Sequence, residues 1–194
     1  TSGATANVNT LNASDELDGG AGTDTLKIYS DGDGDVTGVL SNIENIMIHD
    51  LDDTLDLTDI NGISTVTVVR GDGTQVIKVD AGETINLENF ALASANNATD
   101  VSLDYGATAT SASFGVNKIV AGTIAARDDI TLTGAKLATV DISVTGTASV
   151  IQAIDVVGAK TVNIDAAVKL TTTSIATTAT LATIDVDGAG AVVL

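Results

Sequence analysis

Four-residue units that alternate polar and apolar side chains recur along the chain. They are Thr25-Leu26-Lys27-Ile28, Asn45-Ile46-Met47-Ile48, Thr65-Val66-Thr67-Val68, Thr84-Ile85-Asn86-Leu87 and Asp100-Val101-Ser102-Leu103. Lys118-Ile119-Val120, Thr139-Val140-Asp141-Ile142, Thr161-Val162-Asn163-Ile164 and Thr183-Ile184-Asp185-Val186 continue the series. A period of two predicts short strands with one face turned inward. The units follow one another at roughly 20, 20, 19, 16, 18, 21, 22 and 22 residues. Second strands fall between them at Leu55-Asp56-Leu57, Val76-Ile77-Lys78-Val79, Ile130-Thr131-Leu132 and Ile154-Asp155-Val156.

Short strands at a period near 20 predict one coil per repeat, stacked in register into parallel sheets with Val, Ile and Leu ladders inside. The expected fold is all-β: a parallel β-helix, or β-solenoid, with about 16–22 residues per coil. Nine coils would make a rod of roughly 40 Å. Gly134-Ala135-Lys136 and Gly158-Ala159-Lys160 precede two of the strands and strengthen the repeat. No proline interrupts the stacked strands. A β-sandwich is the competing architecture, but it calls for hairpin turns and longer, less uniform strands.

Composition sharpens this picture. Hydrophobic residues are 44% of the 194, enough for a core, but aromatics are only 2% and Trp is absent. Val, Ile, Leu and Thr suit thin, repetitive cores. Without cysteine there are no disulfides, so a secreted chain of this kind needs another staple. No apolar run approaches the ~18 residues of a membrane span. No signal peptide stands at Thr1, and the pattern starts and stops in mid-repeat, as expected of a fragment of a longer chain.

Charge changes the picture more. Against 8 Lys and Arg stand 26 Asp and Glu, a net charge of −18. Such a surface repels nucleic acid and anionic lipid and attracts cations, so neither nucleic-acid binding nor membrane insertion is expected. The acidic residues are uneven: 19 lie in residues 1–104 and 7 in residues 105–194. In the first half they follow the repeated strand, as Asp31, Asp33 and Asp35 after Ile28, as Asp50, Asp52 and Asp53 after Ile48, and as Asp72 after Val68. Asp33, Asp53 and Asp72 lie about one coil apart. Stacked carboxylates repel unless a hard cation lies between them. Calcium, which takes 6–8 oxygens in flexible geometry, fits that need. For Asp128-Asp129 and Asp187-Gly188 a solvated turn is the better reading.

One motif names this chemistry. Gly19-Gly20-Ala21-Gly22-Thr23-Asp24-Thr25-Leu26-Lys27 matches every position of G-G-x-G-x-D-x-U-x, the calcium-binding nonapeptide. Asp24 supplies the carboxylate, Gly20 and Gly22 the turn and exposed carbonyls, and Leu26 points inward. The nonapeptide before it keeps Asp15 and Leu17, and the one after keeps Asp33. The candidate ligands are therefore Asp15, Gly20, Gly22, Asp24, Asp31, Asp33 and Asp35, with Asp50, Asp52, Asp53 and Asp72 along the ladder. Residues 1–36 read as calcium-binding coils, and residues 37–194 as a continuation of the same elongated domain.

The nonapeptide, the acidic turn after it and the phrase Leu40-Ser41-Asn42-Ile43-Glu44-Asn45-Ile46-Met47-Ile48, together with the Val/Thr-rich remainder, resemble RTX-type surface-layer (S-layer) proteins of Gram-negative bacteria and related large adhesins. The resemblance implies a calcium-rich parallel solenoid exported by type I secretion. It also implies assembly with copies of itself into a surface lattice on the bacterial cell. Contact with cell-surface polysaccharide would then fall to regions outside this chain.

Enzyme signatures are nearly missing. His49 is the only histidine, which excludes paired-His zinc sites, and it reads as a surface residue that could pair with a carboxylate. There is no nucleophile elbow and no P-loop. A calcium-dependent polysaccharide lyase on a β-helix needs a basic proton acceptor, for which Arg70 and Arg127 stand beside six lysines, and an aromatic-lined groove that this composition hardly supplies. Arg70 reads rather as a partner of the acidic ladder. A calcium-dependent adhesin or ligand-binding module is the remaining alternative. The Thr-rich C-terminal half suits it, although no strict T-x-T row recurs in every coil.

Overall fold

The structure, a computed structural model, describes residues 14–29, 36, 38–51, 53–71, 75–92, 101–121, 129–177 and 181–194. Among them the chain forms strands only. These begin with β1 (Glu16–Asp18), β2 (Thr25–Tyr29), β3 (Val39–Ser41), β4 (Asn45–Leu51), β5 (Thr54–Asp56), β6 (Thr65–Gly71), β7 (Gln75–Lys78) and β8 (Thr84–Glu88). The middle of the chain holds β9 (Ala91–Leu92), β10 (Val101–Asp104), β11 (Ser111–Asn117), β12 (Val120–Ala121), β13 (Asp129–Thr133) and β14 (Thr139–Val144). The last are β15 (Ser149–Val156), β16 (Thr161–Ala166), β17 (Leu170–Ala176), β18 (Thr183–Asp187) and β19 (Val192–Val193).

Every pairing is parallel and joins strands of successive coils, the arrangement of a β-solenoid. One sheet stacks eight strands in the order β18-β16-β14-β11-β8-β6-β4-β2. A second runs β19-β17-β15-β13-β10-β7-β5 with β9 and β12 attached through β15. A small third sheet pairs β1 with β3. Alternation puts one row of side chains from each strand inside. In the eight-stranded sheet this row runs Leu26, Ile46, Val66, Ile85, Phe114, Ile142, Ile164, Val186. From Ile46 to Ile164 every member is 2% exposed or less, so this row is the spine of the core.

The same row corrects the expected coil length. Its members advance evenly from Leu26 through Ile46 and Val66 to Ile85. They then leap to Phe114 and again to Ile142, and return to shorter steps at Ile164 and Val186. The two leaps exceed the expected coil length, and the row has one member fewer than the nine units read in the sequence. Val101–Asp104 and Val120–Ala121, read in sequence as members of the first series, belong to the second sheet. The strand between them in the first sheet is β11, which carries Phe114 and Gly115 and breaks the Thr/Val pattern. The long coils arise where residues 93–100 separate β9 from β10, and residues 122–128 separate β12 from β13. One coil later nothing intervenes, and β15 runs unbroken across both positions.

The corners are built by backbone conformation. Asp50, Arg70, Asn89 and Lys118 each have φ near 60°, and each follows residues paired in one register column. Gly146 continues this left-handed column at φ 65°. Four non-glycine residues hold a conformation that disfavours a Cβ, because the parallel stack fixes each corner from above and below.

Candidate functional site

The opening glycines form the turn between β1 and β2. Gly20 (φ 86°) and Gly22 (φ 133°) occupy the region that side chains disfavour. Gly19 allows a close approach of two coils, since a Cβ there would collide with the Asn42 carbonyl oxygen. Asp18 fastens the turn. Its Oδ1 accepts from the Gly20 N–H at 2.9 Å and from Asn42 Nδ2 at 2.8 Å. The Asn42 bond first, and the Gly20 bond second, hold its carboxyl below the ordinary value.

Asp24 closes this turn and leads into β2. Its carbonyl accepts from the Asn45 N–H at 3.0 Å, which locks the next coil onto it. Its N–H donates to Glu44 Oε2 at 2.9 Å, from one coil further on. Its own Oδ2 is buried and accepts no hydrogen bond from any described residue. A carboxylate oxygen removed from water without a donor is costly unless a cation meets it. Glu44 is the residue that sequence reasoning missed as a candidate ligand. It stands one coil step after Asp24, inside the Ile43-Glu44-Asn45 phrase, and that spacing was the available signal.

Two other acidic columns carry their own cations. Arg70 Nη2 donates to Asp50 Oδ2 at 2.8 Å across one coil step. Lys78 Nζ donates to Asp56 Oδ2 at 3.0 Å, and the register places Asp104 on the far side of Lys78. Asp56 lies below its ordinary value, chiefly through the Thr58 hydroxyl and then through Lys78, and Asp56 raises Lys78 in turn. Asp53 is exposed and accepts from Thr54 Oγ1 at 3.3 Å. Asp15 is half-buried, and its carbonyl accepts from the Val39 N–H at 2.9 Å. Asp31, Asp33, Asp35, Asp52 and Asp72 lie outside the described residues, so the Asp33–Asp53–Asp72 ladder is represented only by Asp53. Among the described residues, no three His, Asp or Glu side chains converge where a metal ion could sit. Among them, too, Asp24 and Glu44 meet through a backbone N–H and a carboxylate, with no lysine or arginine bonded to either side chain.

His49 stacks on Tyr29, with ring centroids 4.6 Å apart and planes 9° from parallel. Among the described residues, stacking rather than a carboxylate partner holds the ring. A depression of about 290 Å³ opens on the outer face of the eight-stranded sheet, lined by Thr84, Ser113, Asp141, Ser143, Asn163 and Asp165. Apart from Phe114, whose side chain belongs to the core, its lining offers no aromatic ring on which a sugar could stack. No family model, curated protein or solved structure matches the chain.

Proposed function

We propose that this chain is a non-catalytic structural domain of a secreted bacterial surface-layer protein, a solenoid whose N-terminal coils are fastened by calcium. The carrying observation is the Asp24–Glu44 pair: two carboxylates on adjacent coils, one oxygen buried without a donor, at the end of a full nonapeptide turn. The residues suit a hard cation in part. Two carboxylates fall short of the 6–8 oxygens calcium prefers, so backbone carbonyls and water would complete the shell. Magnesium, which demands a near-ideal octahedron, suits this turn less. Calcium would supply the positive charge that Asp50 and Asp56 draw from Arg70 and Lys78.

The remaining assignments follow from this reading. Low cytosolic calcium would leave the N-terminal coils loose for type I export, and extracellular calcium would close them. The partner would be further copies of the chain at the cell surface. The lyase alternative loses a candidate base, because Arg70 is held by Asp50. The adhesin alternative keeps the depression on the outer face of the eight-stranded sheet as a candidate surface. Light scattering in chelator, calcium and magnesium tests the proposal. Ordered growth with calcium alone supports it, and identical scattering in all three sinks the calcium-driven assembly.

A further inference from the structure

Asn61-Gly62 is the single Asn-Gly pair of the sequence. It forms the turn between β5 and β6, with both residues exposed and the buried Ile60 and Ile63 on either side. Gly62 has φ 95°, the conformation that the third position of a type II turn requires. The chain is anchored just outside this turn. Ile60 N–H donates to the Leu57 carbonyl at 3.0 Å, and Ser64 N–H to the Glu44 carbonyl at 2.8 Å. Between these anchors the Asn61 amide and the Gly62 N–H bond to no described residue, and no bond from Ile63 N–H to the Ile60 carbonyl closes the turn. Space is open as well: a Cβ built on Gly62 would meet nothing within 4 Å.

Such a pair carries its own nucleophile. The Gly62 backbone nitrogen can attack the Asn61 side-chain carbonyl carbon, lose its proton and expel ammonia, which leaves a cyclic succinimide. Water then opens the ring at either carbonyl. One opening gives aspartate. The other gives isoaspartate, whose main chain runs through the former side chain and whose α-carboxylate is free. In balance, an amide and water become an acid and ammonia, with no oxidant or enzyme. A Cβ on the attacking residue would crowd the nitrogen, and glycine has none.

Local structure separates this pair from its nearest chemical relatives. At Asp18-Gly19 the nucleophile is occupied. Gly19 N–H donates to the Ser41 carbonyl at 3.0 Å, and Asp18 Oδ1 is held by Gly20 N–H and Asn42 Nδ2. Reaction there would break a contact between coils. Asn45, Asn86 and Asn163 stand in strands and precede isoleucine or leucine. At Asn61 only the turn has to move, outside both ladders, and local opening of that kind leaves the stacked strands in place. We propose that Asn61 deamidates spontaneously in the folded protein, so that the corner changes with age to aspartate and isoaspartate and gains a negative charge. The site rests on the geometry of this turn and is independent of the calcium reading.

Ageing of the purified, folded chain in warm, mildly alkaline buffer tests it, read by peptide mass mapping and by labelling with an isoaspartyl methyltransferase. The peptide holding Asn61 is expected to gain the mass of amide-to-acid exchange and to accept methyl groups, while Asn45, Asn86 and Asn163 keep their amides. The intact chain should split into two charge forms on ion exchange, and Asn61→Gln should abolish the more acidic one. Circular dichroism of the aged chain should match that of the fresh one, since the turn lies outside the ladders. A sample unfolded in urea, aged alongside, shows what the sequence does without the fold, and Asn61 is expected to react at a comparable rate in both. An Asn61 that keeps its amide in the folded chain, whether or not it reacts in urea, would overturn the proposal. So would conversion of the strand asparagines as fast as Asn61, an acidic form that persists in Asn61→Gln, or a strand spectrum lost in step with conversion.

Discussion

Glu44 accepts the backbone N–H of Asp24 at 2.9 Å from the next coil of the rod, while Asp24 Oδ2 stays buried without a donor. This arrangement predicts a change of sign. In chelator, Asp24→Asn relieves an uncompensated carboxylate, so the variant should melt no lower than the wild type. In calcium the wild type gains binding energy that the variant lacks, so the order reverses. At a calcium concentration a hundredfold above Kd the gain is about 2.7 kcal/mol. For a chain of this size that is roughly 5–10 °C in melting temperature. Glu44→Gln should also shrink the calcium shift, and paired melting curves check both. A variant whose deficit is equal in both buffers would mark Asp24 as merely structural.

Glu83 gives the stability a pH dependence. It follows Gly82 as Ile63 follows Gly62, and it is as buried as that isoleucine. Burial raises its carboxyl from 4.5 to about 7, with the Asp80 N–H bond opposing and the Asp80 charge adding to the rise. Because the folded pKa is the higher one, the folded state binds the proton more tightly. Stability from this group is complete below about 4.5 and is lost as pH rises toward 7. Glu83→Gln keeps an acceptor for Asp80 and should flatten that part of the curve. Denaturant melts across the window measure the slope difference.

Arg70 and Asp50 stabilise a corner less than their geometry suggests. Their side chains are 55% and 48% exposed, so the ion pair contributes at most about 1 kcal/mol. The φ of 61° at both residues matters as much. Arg70→Gly loses the pair but relieves the backbone, so its net change should stay within about 1 kcal/mol. Arg70→Val keeps the strain, adds a branched Cβ and should destabilise by about 1–2 kcal/mol more than glycine. Chemical denaturation of the two variants checks the difference.

Phe114 fills the middle of the inward row between Ile85 and Ile142 and is 1% exposed. In so thin a core the neighbouring coils cannot close a large void. Phe114→Ala should therefore destabilise by about 3–5 kcal/mol, and Ile142→Val by only about 0.5–1.5 kcal/mol. Urea unfolding of the two variants measures both losses, and equal values would mean that the rows relax independently.

The solenoid could be read from the alternating units because a period-two strand repeated once per coil has few other ways to bury its apolar face. Leu26, Ile46, Val66 and Ile85 stack as the spacing predicts. Reading failed only between Ile85 and Ile142, and Ile142, Ile164 and Val186 again stack as the spacing predicts. Val101 and Ile119 carry the same alternation as the true row, and periodicity does not say to which sheet a strand belongs. The member that mattered, Phe114, is neither β-branched nor flanked by Thr-Val units. At the candidate site, the glycine turn and Asp24 were visible as a motif of adjacent residues. Glu44 was not, because its role depends on a contact between coils. Arg70 was legible as a partner of the acidic ladder, and it pairs with Asp50. The pairing of Lys78 with Asp56 was not, because it too depends on a contact between coils.

The most direct test of calcium stabilisation is the melting temperature of the wild-type chain in chelator, in calcium and in magnesium at equal ionic strength. The account predicts a rise of several degrees with calcium and little with magnesium. Coincident curves in all three would contradict it, and would leave Asp24 and Glu44 as a solvated turn of an otherwise self-sufficient solenoid.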